Sequence, residues 1–446
     1  MKILLINPPR SPENRILEYA PSEAKHFIHK KLIGPPLGLL TVAAAVADHD
    51  ITFIDLKGEY DLVPETPPLA QVVTNLMESV KPDVVAVTFI ASEFYFGLEI
   101  FRTAKQCNLE VLTVAGGLHA TLCPMDFDFP YVDILCTGQA AGIFRQVIQA
   151  KEFQKNFNSI GGIWLHTENG WQPSTAPPAA WNAATENFLF PDRNLLKRWI
   201  STYVVGGSPF ASTYLFTSLG CPYKCTFCSI WVQFKGCFFQ RKVESIITEL
   251  KSIEDYGVVR FADANTIVNP GFINHLVDRI LEEGIQKTYI MDIRFDTAVH
   301  YPYLIEKLAK AGLKVVICGF ESFRQEELKK YNKNADARLI EQAISIFHAN
   351  GIMLRGNYVI PPDYTPDDFA ALAEYASHHQ VVYAGYTILS PMPGTVYYEE
   401  VKDKIIDFDL SRYNFFNSVM KTTLPPEKFY ENVGSLWLIK KGKDVI

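Results

Sequence analysis

Three thiols fall within eight residues in the stretch Cys221-Pro-Tyr-Lys-Cys225-Thr-Phe-Cys228. Thiolates are the soft ligands that iron–sulfur clusters require. Spacings of four and three residues let a single loop wrap one face of a small inorganic cluster. Three cysteines on a 4Fe–4S cluster leave one iron open to an outside ligand, which makes a reaction centre of an electron carrier. Two other readings compete. A zinc ion would want a fourth Cys or His close by, whereas Cys237 stands nine residues beyond Cys228 and no His lies between positions 167 and 274. Buried structural cysteines would need no such spacing. The iron–sulfur reading is the strongest of the three. Cys107, Cys123, Cys136, Cys237 and Cys318 are scattered singly, and Cys237 and Cys318 read as small hydrophobes of the core.

Other residues with chemical potential stand where apolar runs end. Asp263 follows Val258–Ala262, Arg294 and Asp296 follow Lys287–Asp292, and Glu321 follows Leu313–Cys318. A carboxylate in such a place can accept from an ammonium or a ribose hydroxyl; the plain alternative is an ordinary ion-paired residue. Glycines in Val114-Ala-Gly-Gly-Leu-His-Ala and Thr137-Gly-Gln-Ala allow a backbone to approach a flat or bulky ligand. Any doubly wound domain also has glycines at its turns, so these alone are a weak signal.

The elements that must hold these residues alternate. Strand-like runs at Lys2–Ile6, Ile51–Leu56, Asp83–Phe89, Glu110–Ala115 and Asp133–Cys136 are separated by helix-length stretches. This predicts a parallel sheet covered on both faces, with ligands at the carboxyl ends of its strands. Residues 151–212 break the rhythm with Gly161-Gly162, Pro177-Pro178 and Gly206-Gly207 and read as a linker carrying a small hairpin. Alternation returns from Tyr214, with strands expected at Tyr214–Thr217, Val258–Ala262, Lys287–Asp292, Leu313–Cys318, Met353–Val359 and Tyr383–Leu389. Six β/α units make a partial barrel rather than a closed eight-fold one. The expected fold class is α/β: a Rossmann-like domain over 1–150, the linker over 151–212, a partial (β/α)6 barrel over 213–400, and a C-terminal extension over 401–446.

At 446 residues and 48% apolar content the chain has ample material for two or three packed domains. A net charge of −7, with no block of like charges, argues against a nucleic-acid surface. No stretch reaches the length of a membrane span, and the N-terminal apolar run ends at Pro8-Pro9, too short for a signal peptide. A clustered thiol motif without a disulfide framework fits a reducing, cytoplasmic setting.

The pattern C-x3-C-x-aromatic-C after a strand, with Phe227 in the aromatic slot, resembles the signature of the radical S-adenosylmethionine (SAM) superfamily. Thr217-Ser-Leu-Gly-Cys-Pro, Phe261-Ala-Asp-Ala-Asn, Arg294-Phe-Asp, Cys318-Gly-Phe-Glu-Ser and Pro391-Met-Pro-Gly-Thr resemble its cobalamin-binding branch, over about residues 1 to 400. The resemblance implies a 4Fe–4S cluster on Cys221, Cys225 and Cys228, and SAM beside Phe227, Asp263, Arg294 and Glu321. It also implies cobalamin along Thr88, Ser92, Gly116, Gly117, His119 and Gly138. The chain departs from the family pattern in two places. Gly138-Gln139-Ala140-Ala141 replaces a Gly-Glu-Gly-Glu loop, and no Asp-x-His-x-x-Gly follows the first strand, where Pro8-Pro9-Arg10-Ser11 stands. The second departure implies cobalamin bound without a protein imidazole below the cobalt.

The activity so implied is methyl transfer from SAM to an unactivated carbon or phosphorus of a small molecule or lipid, by way of a 5′-deoxyadenosyl radical and methylcobalamin. An electron donor of flavodoxin or ferredoxin type would supply the reducing equivalents. Radical cyclisation, rearrangement or oxidation with cobalamin as redox partner is a second enzymatic reading. A cobalamin sensor with a vestigial barrel is a third, disfavoured by the intact cysteine triad. Two further readings of the N-terminal domain fail on residues. G-x-G-x-x-G is missing after the first strand, and Cys107, Cys123 and Cys136 have the wrong spacing for the second cluster of a methylthiotransferase.

Overall fold

The computed structural model describes residues 1–28, 34–178, 188–205, 208–379, 381 and 384–439. The chain divides into two compact units. The first comprises Met1–Pro12 and Pro35–Thr202, the second Glu13–Gly34 and Tyr203–Ile446. Gly206-Gly207 and Tyr383 lie outside the described residues.

The first unit is built on a seven-stranded sheet. Its strands are β1 (Lys2–Asn7), β2 (Asp50–Asp55), β3 (Val84–Thr88), β4 (Leu112–Gly116), β5 (Ile134–Cys136), β6 (Ile163–Thr167) and β7 (Gly170–Pro173), in the order β2-β1-β3-β4-β5-β6-β7. The first five are parallel. Ile3, Leu4, Leu5 and Ile6 are wholly buried, as a central strand with helices on both faces requires. The chain reverses direction of winding between β1 and β3, and doubly wound sheets of this order bind ligands at the carboxyl ends beside that point. The hairpin expected in the linker forms, and β6 pairs antiparallel with β5. That stretch therefore extends the sheet instead of merely connecting two bodies.

The second unit carries six parallel strands, β8 (Ser212–Leu215), β11 (Val258–Phe261), β12 (Thr288–Asp292), β13 (Leu313–Glu321), β14 (Met353–Ile360) and β15 (Gly385–Ile388), in the order β8-β11-β12-β13-β14-β15. Neighbours in space follow the chain, as in a partial barrel. Side chains alternate across β13: Val316, Cys318 and Phe320 are fully buried against the helical layer, while Ile317, Gly319 and Glu321 face inward and remain half-buried. A separate hairpin, β9 (Ser218–Gly220) with β10 (Phe238–Gln240), holds the cysteine loop between its strands. The strand expected to stop at Cys318 runs on through a register shift to Glu321, because Phe320 still has the helical layer to bury against.

The segment Glu13–Gly34 groups with the second unit, although the chain on either side of it belongs to the first. Helices Arg15–Tyr19 and Ser22–Ile28 sit with the C-terminal helix Pro426–Leu436. Tyr19 stacks on Tyr430 at 5.8 Å, and the Arg15 N–H donates to Asn417 Oδ1 at 2.9 Å. Among the described residues, no helix is long and apolar enough to cross a membrane.

Candidate active site

The cysteine loop begins at a glycine that nothing else can replace. Gly220 has φ +78°, and a Cβ there would run into the carbonyl oxygen of Cys237. Gly220→Ala is expected to cost roughly 1–2 kcal/mol in backbone strain before the clash is relieved. Iron content per chain after reconstitution should fall measurably, and wild-type content in that variant would show that the turn does not set the loop.

Beyond Gly220 the backbone is tied down at several points. Thr226 N–H donates to Tyr331 O at 3.0 Å, Tyr397 N–H to Thr226 O at 2.9 Å, and Trp231 Nε1 to Cys225 O at 2.9 Å. Asn332 Nδ2 donates to Lys224 O at 2.7 Å. Cys221 and Cys225 are buried and Cys228 is half-buried. Burial pushes all three thiols up from their ordinary range. Backbone N–H donors pull Cys221 and Cys228 back down, and the Lys333 ammonium does the same for Cys225. Loading with a cluster requires thiolates, so assembly must release protons. Cys318 is buried as expected, but Cys237 is exposed: it follows Gly236 (φ +74°) in the turn before β10, where no apolar layer covers it.

Arg294 and Glu321 gather at this loop with a residue the sequence did not single out. Arg294 stacks on Tyr223, between Cys221 and Cys225, with Cζ 3.9 Å from the ring centroid. Its Nε and Nη2 pair with Asp296 at 2.9 and 2.8 Å, and Nη2 also donates to Lys333 O at 3.0 Å. Arg294 thus steadies the loop through these partners. Glu321 sits at φ +61°, strained for a residue with a side chain, and accepts from Lys333 Nζ at 2.7 Å. Lys333 is 7% exposed and close enough to Cys225 to act on its charge. It lies in the polar run Lys329-Lys330-Tyr331-Asn332-Lys333, which reads as a solvated surface, so no sequence signal marks it. Phe227 meets Tyr331 edge-on at 5.7 Å.

Asp263 anchors the turn before the cysteine loop. Its carboxylate accepts from Thr217 N–H, Ser218 N–H and Thr217 Oγ1 at 2.8, 2.8 and 2.7 Å, and it is 3% exposed. It locks the turn that leads into the cysteine loop, with Oδ1 taken by two donors and Oδ2 by one. Burial pushes it from 3.8 up to about 6, against the pull of those donors. The folded state therefore holds this proton to higher pH than the unfolded chain does. The resulting stability is complete below the unfolded value and is lost as pH rises through about 6. Relative to Asp263→Asn, wild-type stability in denaturant should fall between about pH 4 and 6 and then level off. A difference that stays flat over this range would refute the shift.

In the first unit the carboxyl ends of β3, β4 and β5 present Thr88, Gly116 and, one turn further, Gly138. A Cβ on Gly116 would meet nothing nearer than Cys136 O at 3.9 Å, and one on Gly138 nothing within 4 Å. This is an open cradle of the kind a large planar ligand needs. Gly117 differs. It has φ +102°, and its Cβ would lie 2.7 Å from Phe89 N, Phe89 O and Thr88 Oγ1, so its glycine serves the fold. His119 is also diverted: it is 2% exposed, packed with Phe94 and Phe127, and its Nε2 lies 3.0 Å from Asp126. Ser92 is buried in the turn Ala91–Glu93, and the adjacent Glu93 pairs with Lys57 at 2.6 Å. In the loop after β1, Arg10 pairs with Asp61 at 3.0 Å.

Comparison with known proteins follows the same division. The B12 binding domain model matches residues 27–148, and that of the radical SAM superfamily matches residues 215–376. The chain is 28% identical over 434 residues to an uncharacterized methyltransferase of Pyrococcus horikoshii, covering 94% of this chain and 88% of that one. It is 24% identical over 404 residues to the hopanoid C-3 methylase of Methylococcus capsulatus, with 89% and 74% covered. Its fold is similar to that of the radical SAM methyltransferase TsrM from Kitasatospora setae, with a TM-score of 0.69 at 16% identity, covering 97% of this chain and 82% of that one.

Proposed function

We propose that this chain, which belongs to the cobalamin-dependent radical SAM enzymes, moves a methyl group from SAM to an unactivated carbon or phosphorus of a small molecule or lipid. The observation that carries this reading is the anchored three-thiol loop at the barrel mouth, with Cys221 and Cys225 buried and Cys228 half-buried. When bound, the 4Fe–4S cluster supplies the electron that cleaves SAM to a 5′-deoxyadenosyl radical, and cobalamin supplies the methyl carrier.

The chain's own residues bind and orient. Cys221, Cys225 and Cys228 hold the cluster. Lys333 and Glu321, paired beside Cys225, meet the carboxylate, amine or ribose of SAM, and Phe227 lies along its adenine. Arg294 acts through Tyr223, and Asp263 through the Thr217–Ser218 turn; both are positioning residues. Thr88, Ser92, Gly116 and Gly138 border the cobalamin. Holding reactive groups in line and away from water is the main contribution of such a protein. The electron donor is of flavodoxin or ferredoxin type, and the setting is the cytoplasm.

Incubation with methyl-deuterated SAM, cobalamin, a reductant and candidate substrates chosen from neighbouring genes tests this reading by mass spectrometry of the products. The expected product is heavier by one labelled methyl group. An unlabelled product that has lost hydrogen or closed a ring would replace methyl transfer with the oxidative or cyclising reading.

A further inference from the structure

We propose that the inner wall of the partial barrel carries an anion-binding site built on Arg355, which receives a carboxylate or similar acidic group of the substrate. The inference rests on the enzymatic reading above and narrows its substrate to an acid.

Strand register places the residues concerned. Asp292 on β12, Ile317 on β13 and Arg355 on β14 are successive partners across the sheet. Arg260 on β11 pairs in register with Tyr214 on β8. Leu354, next to Arg355, is buried against the helical layer, so Arg355 projects to the inner side with Met353 and Asn357. Arg260 holds Asp292 with two nitrogens, Nε to Oδ2 at 3.1 Å and Nη2 to Oδ1 and Oδ2 at 3.1 and 2.8 Å. Arg260 also lies over the Tyr214 ring at 5.6 Å. Asp292 is thereby committed to Arg260. Among the described residues, Arg355 has no hydrogen-bond partner of its own.

Two guanidinium groups thus face one carboxylate. A guanidinium cannot discharge itself by losing a proton, and half-buried Arg355 has only the pull of an Asp292 carboxylate already bound to Arg260. Burial, and then the charge of Arg260, act against the Arg355 cation. Gly385 lets Asn357 and Arg355 pack closely against β15. A Cβ on Gly385 would run into Asn357 Oδ1 and would lie 3.5 Å from Arg355 Nε. Asn357 Oδ1 is buried and has no donor among the described residues. The arrangement offers a fixed cation and, beside it, the Asn357 oxygen without a donor, which suits an acid that also carries an O–H or N–H.

The acid belongs to the substrate and not to SAM. SAM must reach the cysteine loop, where Lys333 and Glu321 stand. Arg355 is level with Ile317, four positions along β13 from Glu321, or about 13 Å down the barrel.

The test uses the reconstituted full-length protein with SAM and a pair of probes, benzoate and its neutral analogue benzamide. In saturation-transfer NMR, benzoate should bind preferentially to the wild type. Arg355→Gln should weaken benzoate about tenfold, as loss of a charge-assisted pair implies, and leave benzamide and the cluster absorbance unchanged. Arg355→Lys should keep part of the preference. Equal binding of the two probes, or benzoate binding indifferent to Arg355→Gln, would overturn the site. A second arm divides a cell extract by anion exchange before incubation with labelled SAM. Label in the acidic fraction supports the proposal, whereas label confined to the neutral fraction refutes it and leaves methyl transfer standing. If neither fraction takes label, methyl transfer is what fails, because the probe pair decides the site independently.

Discussion

Replacing Cys221, Cys225 and Cys228 by alanine is expected to take the protein from about four irons per chain to none, and to abolish SAM cleavage. All three sulfurs stand on one anchored loop. Because three ligands must hold the whole cluster, each single replacement should already remove most of it. Cys237→Ala should retain full iron and sulfide, because that thiol is exposed. Iron and sulfide analysis with visible absorbance reads both results. Iron retained in the triple variant would remove the ligand assignment, and iron lost from Cys237→Ala would revive a four-cysteine site.

Gly116→Val should cost the protein its cobalamin while leaving the cluster at full occupancy. The valine suits the end of β4 and meets only Cys136 O in the protein itself, so the new side chain enters the open cradle. The cysteine loop belongs to the other compact unit and should not respond. Gly117→Val cannot serve as this test, because it strikes Phe89 and Thr88 and would damage the fold first. In the wild type, bound cob(II)alamin should show an electron-paramagnetic signal without nitrogen hyperfine coupling. The loop after β1 offers Arg10, tied to Asp61, and no imidazole. Cobalamin retained at wild-type level in Gly116→Val would place the ligand elsewhere; a clear nitrogen coupling would show a protein or nucleotide base below the cobalt.

Much of this was legible because it is local. Continuous apolar runs gave the parallel strands, and the thiol spacing with its preceding glycine gave the loop. What stayed hidden depends on contacts far along the chain. Nothing in residues 13–34 announces that Arg15 will meet Asn417, or that these helices leave the unit on either side of them. A carboxylate at a strand end looks the same whether it faces a ligand or, like Asp263, three donors of its own chain. Lys333 was concealed by its charged neighbours, and burial revealed it. His119 and Gly117 lie within a motif that suggests ligand contact. The aromatic cluster around one and the backbone packed on the other assign them to the fold.

The central claim is that both units take part in handling SAM, and it can be tested without knowing the substrate. The reconstituted protein is given cobalamin, a reductant and SAM, and both S-adenosylhomocysteine and 5′-deoxyadenosine are quantified by mass spectrometry. Both should form in the wild type. Gly116→Val should lose S-adenosylhomocysteine and keep 5′-deoxyadenosine, and the triple cysteine variant should lose 5′-deoxyadenosine. S-adenosylhomocysteine that forms equally well without cobalamin, or no 5′-deoxyadenosine from a protein with a full complement of iron, would contradict the account.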